Sequence, residues 1–181
     1  RVSDISTYTA SAWVKPAFEW LIDLQTNGSS TEETGVYAYT TKVIVSEGIE
    51  NIPDEFFGMS FIHEVEIADS VTSIGDSAFS GCDSLTNITI PGSVTSIGGE
   101  AFRDCDSLTS VTIENGVTSI GNNAFRTCIN LTELTIPEGV TSIGESAFNG
   151  CSSLTSINIP EGVTSIGSSA FHGCSNLTSI V

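Results

Sequence analysis

From Val71 to the end of the chain a 23-residue unit recurs, and it places Phe79, Phe102, Phe125, Phe148 and Phe171 at equal intervals. Cys82, Cys105, Cys128, Cys151 and Cys174 keep step with them. A fixed period of roughly 20 to 29 residues restricts a chain to an architecture in which each repeat packs on its two neighbours. No unit of this size can bury its own apolar face, so stacking has to supply the core.

One unit, residues 85–106, reads as three pieces. Ile88-Thr89-Ile90 alternates apolar, polar, apolar, the pattern of a strand with one wet face. Leu85, Ile88 and Ile90 return as Leu108, Val111 and Ile113, as Leu131, Leu134 and Ile136, and as Leu154, Ile157 and Ile159. Pro91, Pro137 and Pro160 end the strand because proline offers no ladder donor. Val94-Thr95-Ser96-Ile97-Gly98 then reads as a second short extended segment, closed by a glycine that frees the backbone to turn. Ala101, Phe102 and Cys105 follow at helical spacing, which predicts one helical or 3₁₀ turn with its apolar side inward.

Equal repeat length puts identical side chains above one another at roughly 4.8 Å, the interstrand spacing. The interior is expected to be columns of Phe on Phe, Cys on Cys and Ile on Ile. A degraded copy lies upstream: Val43, Val45, Ile49, Ile52, Phe57, Val65 and Ile67 follow the pattern, with Met59 near the cysteine column and Phe61 or Ile62 near the leucine column. The expected fold is a β-rich solenoid of parallel short strands, of the α/β leucine-rich-repeat type. It occupies residues 43–181 in about six repeats, preceded by a helical cap over residues 1–42.

The pattern Leu-x-x-Ile-x-Ile-Pro-x-x-Val-x-x-Ile-Gly-x-x-Ala-Phe-x-x-Cys resembles the BspA-like, or Treponema-type, leucine-rich repeat. The resemblance implies a bacterial or protozoan surface protein used in adhesion or protein contact. Departures are small: Glu114 stands where other copies have proline, and Asn158 replaces a threonine. A weaker resemblance covers the first 34 residues, where Asp4, Trp13, Ala17, Trp20 and Leu21 before Thr26-Asn27-Gly28 look like the first half of an S-layer homology module. The second half of that module is missing. On the residues alone, Pro16 opens a helix over about 16–26 with Phe18, Leu21 and Ile22 on one face, stopped at Asn27-Gly28.

Charge narrows the partners. Twenty-two acidic residues against five basic ones give a formal charge of −17, a surface that repels nucleic-acid phosphates and anionic lipid. No apolar run approaches the roughly 20 residues of a membrane span. The start at Arg1 and the stop at Ile180-Val181 lead us to expect a piece of a longer protein with signal peptide and anchor outside it, and the resemblance implies an extracellular location. The cysteines, one per repeat in one inward column, are expected to be buried and reduced, since a ladder spreads them along an axis where zinc needs convergence.

Chemistry is not signalled. His63 and His172 lie about five repeats apart, and no Gly-x-Ser-x-Gly elbow occurs among the many serines. Asp104-Cys105-Asp106 with Glu100 lacks the oxygen-rich loop that calcium requires. No catalytic residue, cofactor or metal is therefore assigned. What the chain offers is a hydroxyl-rich strand face: Thr86, Asn87 and Thr89; Thr109, Ser110 and Thr112; Thr132, Glu133 and Thr135; Thr155, Ser156 and Asn158. Such an array suits a protein partner, whether host extracellular matrix or another cell-surface protein, though β-branched residues also favour exposed strand positions for their own sake. The alternatives are a structural stalk and, less favoured because Glu133 and Asn158 interrupt the lattice, ordered-water binding.

Overall fold

The computed structural model describes residues 8–9, 22–26, 40–55 and 60–180. Two strands come first, β1 (Tyr8–Thr9) and β2 (Ile22–Thr26), and from β3 (Thr40–Val45) onward the chain winds as a parallel solenoid. Each coil adds one strand to each of two faces. The first face holds β3, β5 (Glu64–Ile67), β7 (Asn87–Ile90), β9 (Ser110–Ile113), β11 (Glu133–Thr135), β13 (Ser156–Ile157) and β15 (Ser179–Ile180). The second holds the two-residue strands β4 (Asn51–Ile52), β6 (Ser73–Ile74), β8 (Ser96–Ile97), β10 (Ser119–Ile120), β12 (Ser142–Ile143) and β14 (Ser165–Ile166), joined in one six-stranded sheet.

Register follows the sequence period. Ser96 pairs with Ser119 and Ser119 with Ser142, each 23 residues on, while Val43↔Val65 and Ile52↔Ile74 are 22 apart because the first unit is one residue shorter. Alternation sets the faces: Ile88 and Ile90 are buried and Thr89 between them is exposed. Ile62 is fully buried whereas Phe61 is 52% exposed, so Ile62 is the member of the leucine column. Phe57 and Met59 lie outside the described residues.

The turn side of each coil carries the largest core residues. Phe79, Phe102, Phe125, Phe148 and Phe171 stack with ring centroids 5.1–5.5 Å apart and planes within 7° of parallel. At that separation parallel rings must be offset, the arrangement their quadrupoles favour. Each buried ring contributes about 1.5 to 3 kcal/mol.

The helical or 3₁₀ turn expected here is instead a run of turns, in which single i→i−3 bonds such as Arg103 N–H to the Glu100 carbonyl are interrupted by N–H groups that bond across coils. Phe79 N–H donates to the Ala101 carbonyl at 2.7 Å, Phe102 to Ala124 at 2.7 Å and Phe125 to Ala147 at 2.8 Å. Two left-handed residues per coil break any helix: Ser77, Glu100, Asn123, Ser146 and Ser169 form one column, and Gly81, Asp104, Thr127, Gly150 and Gly173 the other. No described residue is helical.

The repeat glycine has a different reason from the one the sequence suggests. Gly98, Gly121 and Gly144 do not adopt positive φ, yet a Cβ on any of them would sit 2.5 Å from backbone of the preceding coil. Close approach of the coils, not a turn, excludes side chains there.

At the N-terminal end the last residues of the expected helix, Ile22–Thr26, form a strand. Ile22–Thr26 pairs antiparallel with β3, Ile22 opposite Val45 and Leu24 opposite Val43, and Tyr8–Thr9 pairs antiparallel with β2. The physical reason is visible in Ile22-Asp23-Leu24-Gln25, whose period of two matches the first solenoid strand better than a helical face. Residues 16–21 of the expected helix, and Asn27-Gly28, lie outside the described residues.

Candidate functional site

Two groups of side chains decide what this surface can do, and they look alike in sequence. The first is committed to the stack. Thr109 Oγ1 donates to the Thr86 carbonyl at 3.0 Å, Thr132 to Thr109 at 3.1 Å and Thr178 to Thr155 at 3.1 Å. A second threonine column that the sequence reading passed over does the same on the other face, from Thr72 on the Glu50 carbonyl through Thr95, Thr118 and Thr141 to Thr164. These hydroxyls fasten one coil to the next.

The second group is free to meet a partner. Thr89, Thr112 and Thr135 are exposed, adjacent and in register on β7, β9 and β11, and Asn87, Ser110 and Glu133 form the parallel row beside them. Asn87 Nδ2 donates to Thr86 Oγ1 at 3.1 Å and Ser110 is half-buried; the rest of these two rows is exposed. Thr155, Ser156 and Asn158 are exposed too, but β13 pairs with β15 and not with β11, so the ladder is not continuous from Thr86 to Asn158 as the repeat alone suggests.

The thiols are built into the core. All five are buried, and none forms a disulfide. Cys105 Sγ donates to the Phe79 carbonyl at 3.2 Å, and Cys128, Cys151 and Cys174 donate to Phe102, Phe125 and Phe148 at 3.1 Å. Each of these four thiols thus adds a hydrogen bond to a carbonyl of the coil before it, a bond that alanine in the column could not make. Burial pushes the thiols of Cys105 and Cys128 well above their ordinary value, that of Cys151 up to about 12, and that of Cys174 upward.

The acids near Cys105 are arranged for an arginine. Arg103 reaches Glu100 at 3.0 Å and Asp104 at 3.1 Å, and the Glu100 hydrogen bond followed by the Asp104 charge raises its pKa. Burial, then Asp83 and Asp104, raises that of Asp106. Among the described residues no three His, Cys, Asp or Glu side chains converge as metal ligands would. His63 and His172 are both exposed, at opposite ends of the stack.

The profile of the BspA type leucine rich repeat region matches residues 50–178 in 6 copies. The chain belongs to that family. A comparison with curated proteins returned no match. Among solved structures, a leucine-rich repeat protein from Bacteroides ovatus is 34% identical with a TM-score of 0.73, covering 78% of this chain and 37% of its own. The leucine-rich repeat protein of T. pallidum is 28% identical with a TM-score of 0.72, over 78% of this chain and 74% of its own. A leucine rich cell surface protein from Faecalibacterium prausnitzii is 25% identical with a TM-score of 0.50, over 78% and 59%. The chain therefore spans little more than a third of the Bacteroides protein.

In this BspA-type solenoid one departure from the repeat shapes the surface. Glu114, in the position of Pro91 and Pro137, has an N–H and donates it to the Ile90 carbonyl at 3.0 Å, while its Oε2 accepts from Gly92 N–H at 3.0 Å. One coil on, Pro137 has no N–H to offer the Ile113 carbonyl, so the ladder stops. A groove of about 510 Å³ opens there, with Ile113, Ile136 and Pro137 along it and Glu114 and Glu138 at its rim. Thr135 and Asn158 reach it from the strand face. Sequence reasoning noted Glu114 as a departure and missed Glu138 altogether; the signal was the acid that follows Pro137 and Pro160.

Proposed function

We propose that this chain is a non-enzymatic interaction module of an extracellular, cell-surface protein, and that it recognises a protein partner through the face formed by β7, β9 and β11. The observation that carries the reading is the in-register row Thr89, Thr112 and Thr135, exposed and without a protein partner among the described residues, beside threonines whose hydroxyls are consumed by stacking. Many modest contacts over a rigid sheet add up to recognition. The family, with a neighbour described as a cell surface protein, supports the compartment; adhesion to host extracellular matrix is one form the interaction takes under this reading. Among the described residues no helix is long and apolar enough to cross a membrane. Residues 1–42 act in this scheme as the cap of the first coil, with no cell-wall binding assigned to them.

Capture of extracellular-matrix proteins on the immobilised chain, followed by Thr89→Lys, Thr112→Lys and Thr135→Lys together, tests the reading. Like charges on neighbouring strands destabilise by roughly 0.2 to 1 kcal/mol per pair, so the fold survives while the partner is lost. Substitution of Ser80, Arg103 and Arg126 by alanine, on the turn side, leaves binding intact. A partner lost in the second variant and kept in the first places recognition on the turns instead. The stalk reading gains only from the number of hydroxyls spent on stacking, and a chain that captures nothing supports it.

A further inference from the structure

The groove at the end of the strand face has a definite chemistry. Its charged groups are both acceptors, the carboxylates of Glu114 and Glu138; the Ile113 carbonyl, to which Pro137 can give no N–H, is a third acceptor, and the Thr135 hydroxyl and the Asn115 and Asn158 amides can accept or donate. Ile113, Ile136 and Pro137, each largely buried, line it as well. A long side chain with an apolar stem and a cationic head matches that combination, the stem along the aliphatic part and the donors on the rim.

The distribution of cations points the same way. Among the described residues Lys42 is held by Glu64 at 2.9 Å and Glu66 at 2.5 Å, Arg103 is held by Glu100 and Asp104, and Arg126 stands on the turn side. No basic residue stands on β7, β9, β11 or β13, and neither Glu114 nor Glu138 has an ion-pair partner among the described residues. The exposed acids Glu47, Asp69, Glu138 and Glu161 occupy one repeat position along the same rim, where each long strand has ended. An unpartnered sheet with an uncompensated acidic border is complementary to a positively charged surface.

We propose that the strand face takes a basic segment of its partner protein, with a lysine or arginine seated in the groove between Glu114 and Glu138. The proposal rests on the strand face being the recognition surface and adds the charge and side-chain type of what docks there. Glu114 is partly pre-positioned by the Gly92 N–H, which lowers the rotamer entropy lost on binding.

Fluorescence anisotropy of a labelled alternating Gly-Arg peptide against the intact chain, at about 150 mM salt where bulk attraction is screened, is the direct probe. Glu114→Gln with Glu138→Gln keeps shape and the acceptor for Gly92 while removing two charges. It is expected to weaken the peptide by about tenfold or more. Glu50→Gln with Glu145→Gln removes the same charge from exposed sites away from the groove and is expected to change affinity by less than about twofold. Equal weakening by both pairs, or no binding of the peptide at all, overturns the groove assignment. If that happens while a captured protein is still lost on the triple lysine variant, the strand-face reading stands and only its basic occupant falls. A captured protein indifferent to the triple lysine variant overturns both.

Discussion

The middle coils and the last coil are written in nearly the same residues, yet they are buried very differently. Ile143 is 2% exposed and its counterpart Ile166 is 48%; Ile157 is 2% and Ile180 is 59%. Phe125 is fully buried while Phe171, with one ring neighbour, is only partly so. The difference teaches that burial here belongs to the interface between coils and not to the repeat itself, as the one-dimensional character of solenoids requires. At the other end β2 lies against β3, so the first coil meets a strand where the last meets none among the described residues.

The largest effect that tests this contrast is loss of an aromatic. Phe125→Ala leaves a cavity between two rings held 5.1 and 5.5 Å away and is expected to cost about 3 to 5 kcal/mol. Phe171→Ala removes a ring with one neighbour at 5.5 Å and should cost clearly less in urea unfolding of the two variants side by side. Equal losses would break the comparison.

That prediction was available from spacing alone, and the reason is instructive. Repeat length fixed the register, so the Phe, Cys and Ile columns and the outward row at Thr89, Thr112 and Thr135 were legible before any coordinates. What spacing could not show was how the backbone closes each coil. Ala101-Phe102-Cys105 has helical periodicity, but Phe102 N–H goes to the next coil, and a sequence window cannot distinguish a bond within a segment from one across 23 residues. Gly98 was misread for the same cause: its constraint is a backbone atom in another coil. Thr109 and Thr112 are chemically identical, and only the carbonyl beside Thr109 separates a staple from a candidate contact. Ile22–Thr26 went wrong because its competing partner, β3, lies far along the chain.

Next in size is Gly121→Ala. The added Cβ would meet the Gly98 carbonyl carbon at 2.5 Å, which forces two stacked coils apart and is expected to cost about 1 to 3 kcal/mol. Thermal unfolding of Gly121→Ala beside Gly81→Ala, whose Cβ would meet nothing within 4 Å, separates coil clash from left-handed strain. If the Gly81 variant were the worse of the two, close approach would not be the governing constraint.

The thiols extend the contrast to pH. A folded thiol whose pKa is raised stays protonated when the unfolded chain has already ionised, so stability is full below the ordinary value near 9.0 and falls as pH rises above it. The loss is up to about 1.4 kcal/mol per pH unit for each such thiol, and for Cys151 it continues until about pH 12. Cys174, at the less covered end, contributes over a shorter window. Urea midpoints from pH 7 to 10 should fall only on the alkaline side. In native protein at pH 8 a thiol reagent should label Cys174 first, and rapid labelling of Cys105 or Cys128 would contradict their burial.

The smallest expected effect lies in the left-handed column that ends each turn run. Thr127 holds φ near +58° where Gly150 and Gly173 hold +80° and +77°, and a β-branched residue there is strained. Left-handed backbone costs an L-residue roughly 1 to 2 kcal/mol. Glycine returns roughly 0.5 to 1 kcal/mol of that as lost chain entropy. Thr127 Oγ1 also bonds Asp104 Oδ1, and that bond is partly buried, so losing it costs roughly 0.5 to 1.5 kcal/mol. Thr127→Gly is therefore expected to change stability by less than about 0.5 kcal/mol, the strain relieved being offset by the entropy added and the bond lost. The reverse change, Gly150→Ala, puts a Cβ 3.2 Å from Thr127 Cγ2 and should destabilise by about 1 to 2 kcal/mol. Gly173→Ala, in the coil with only one stacked neighbour, can relax its backbone outward and should cost less. If Gly173→Ala costs as much as Gly150→Ala, the left-handed conformation is imposed by the residues of the turn itself, and the strain does not come from the stack.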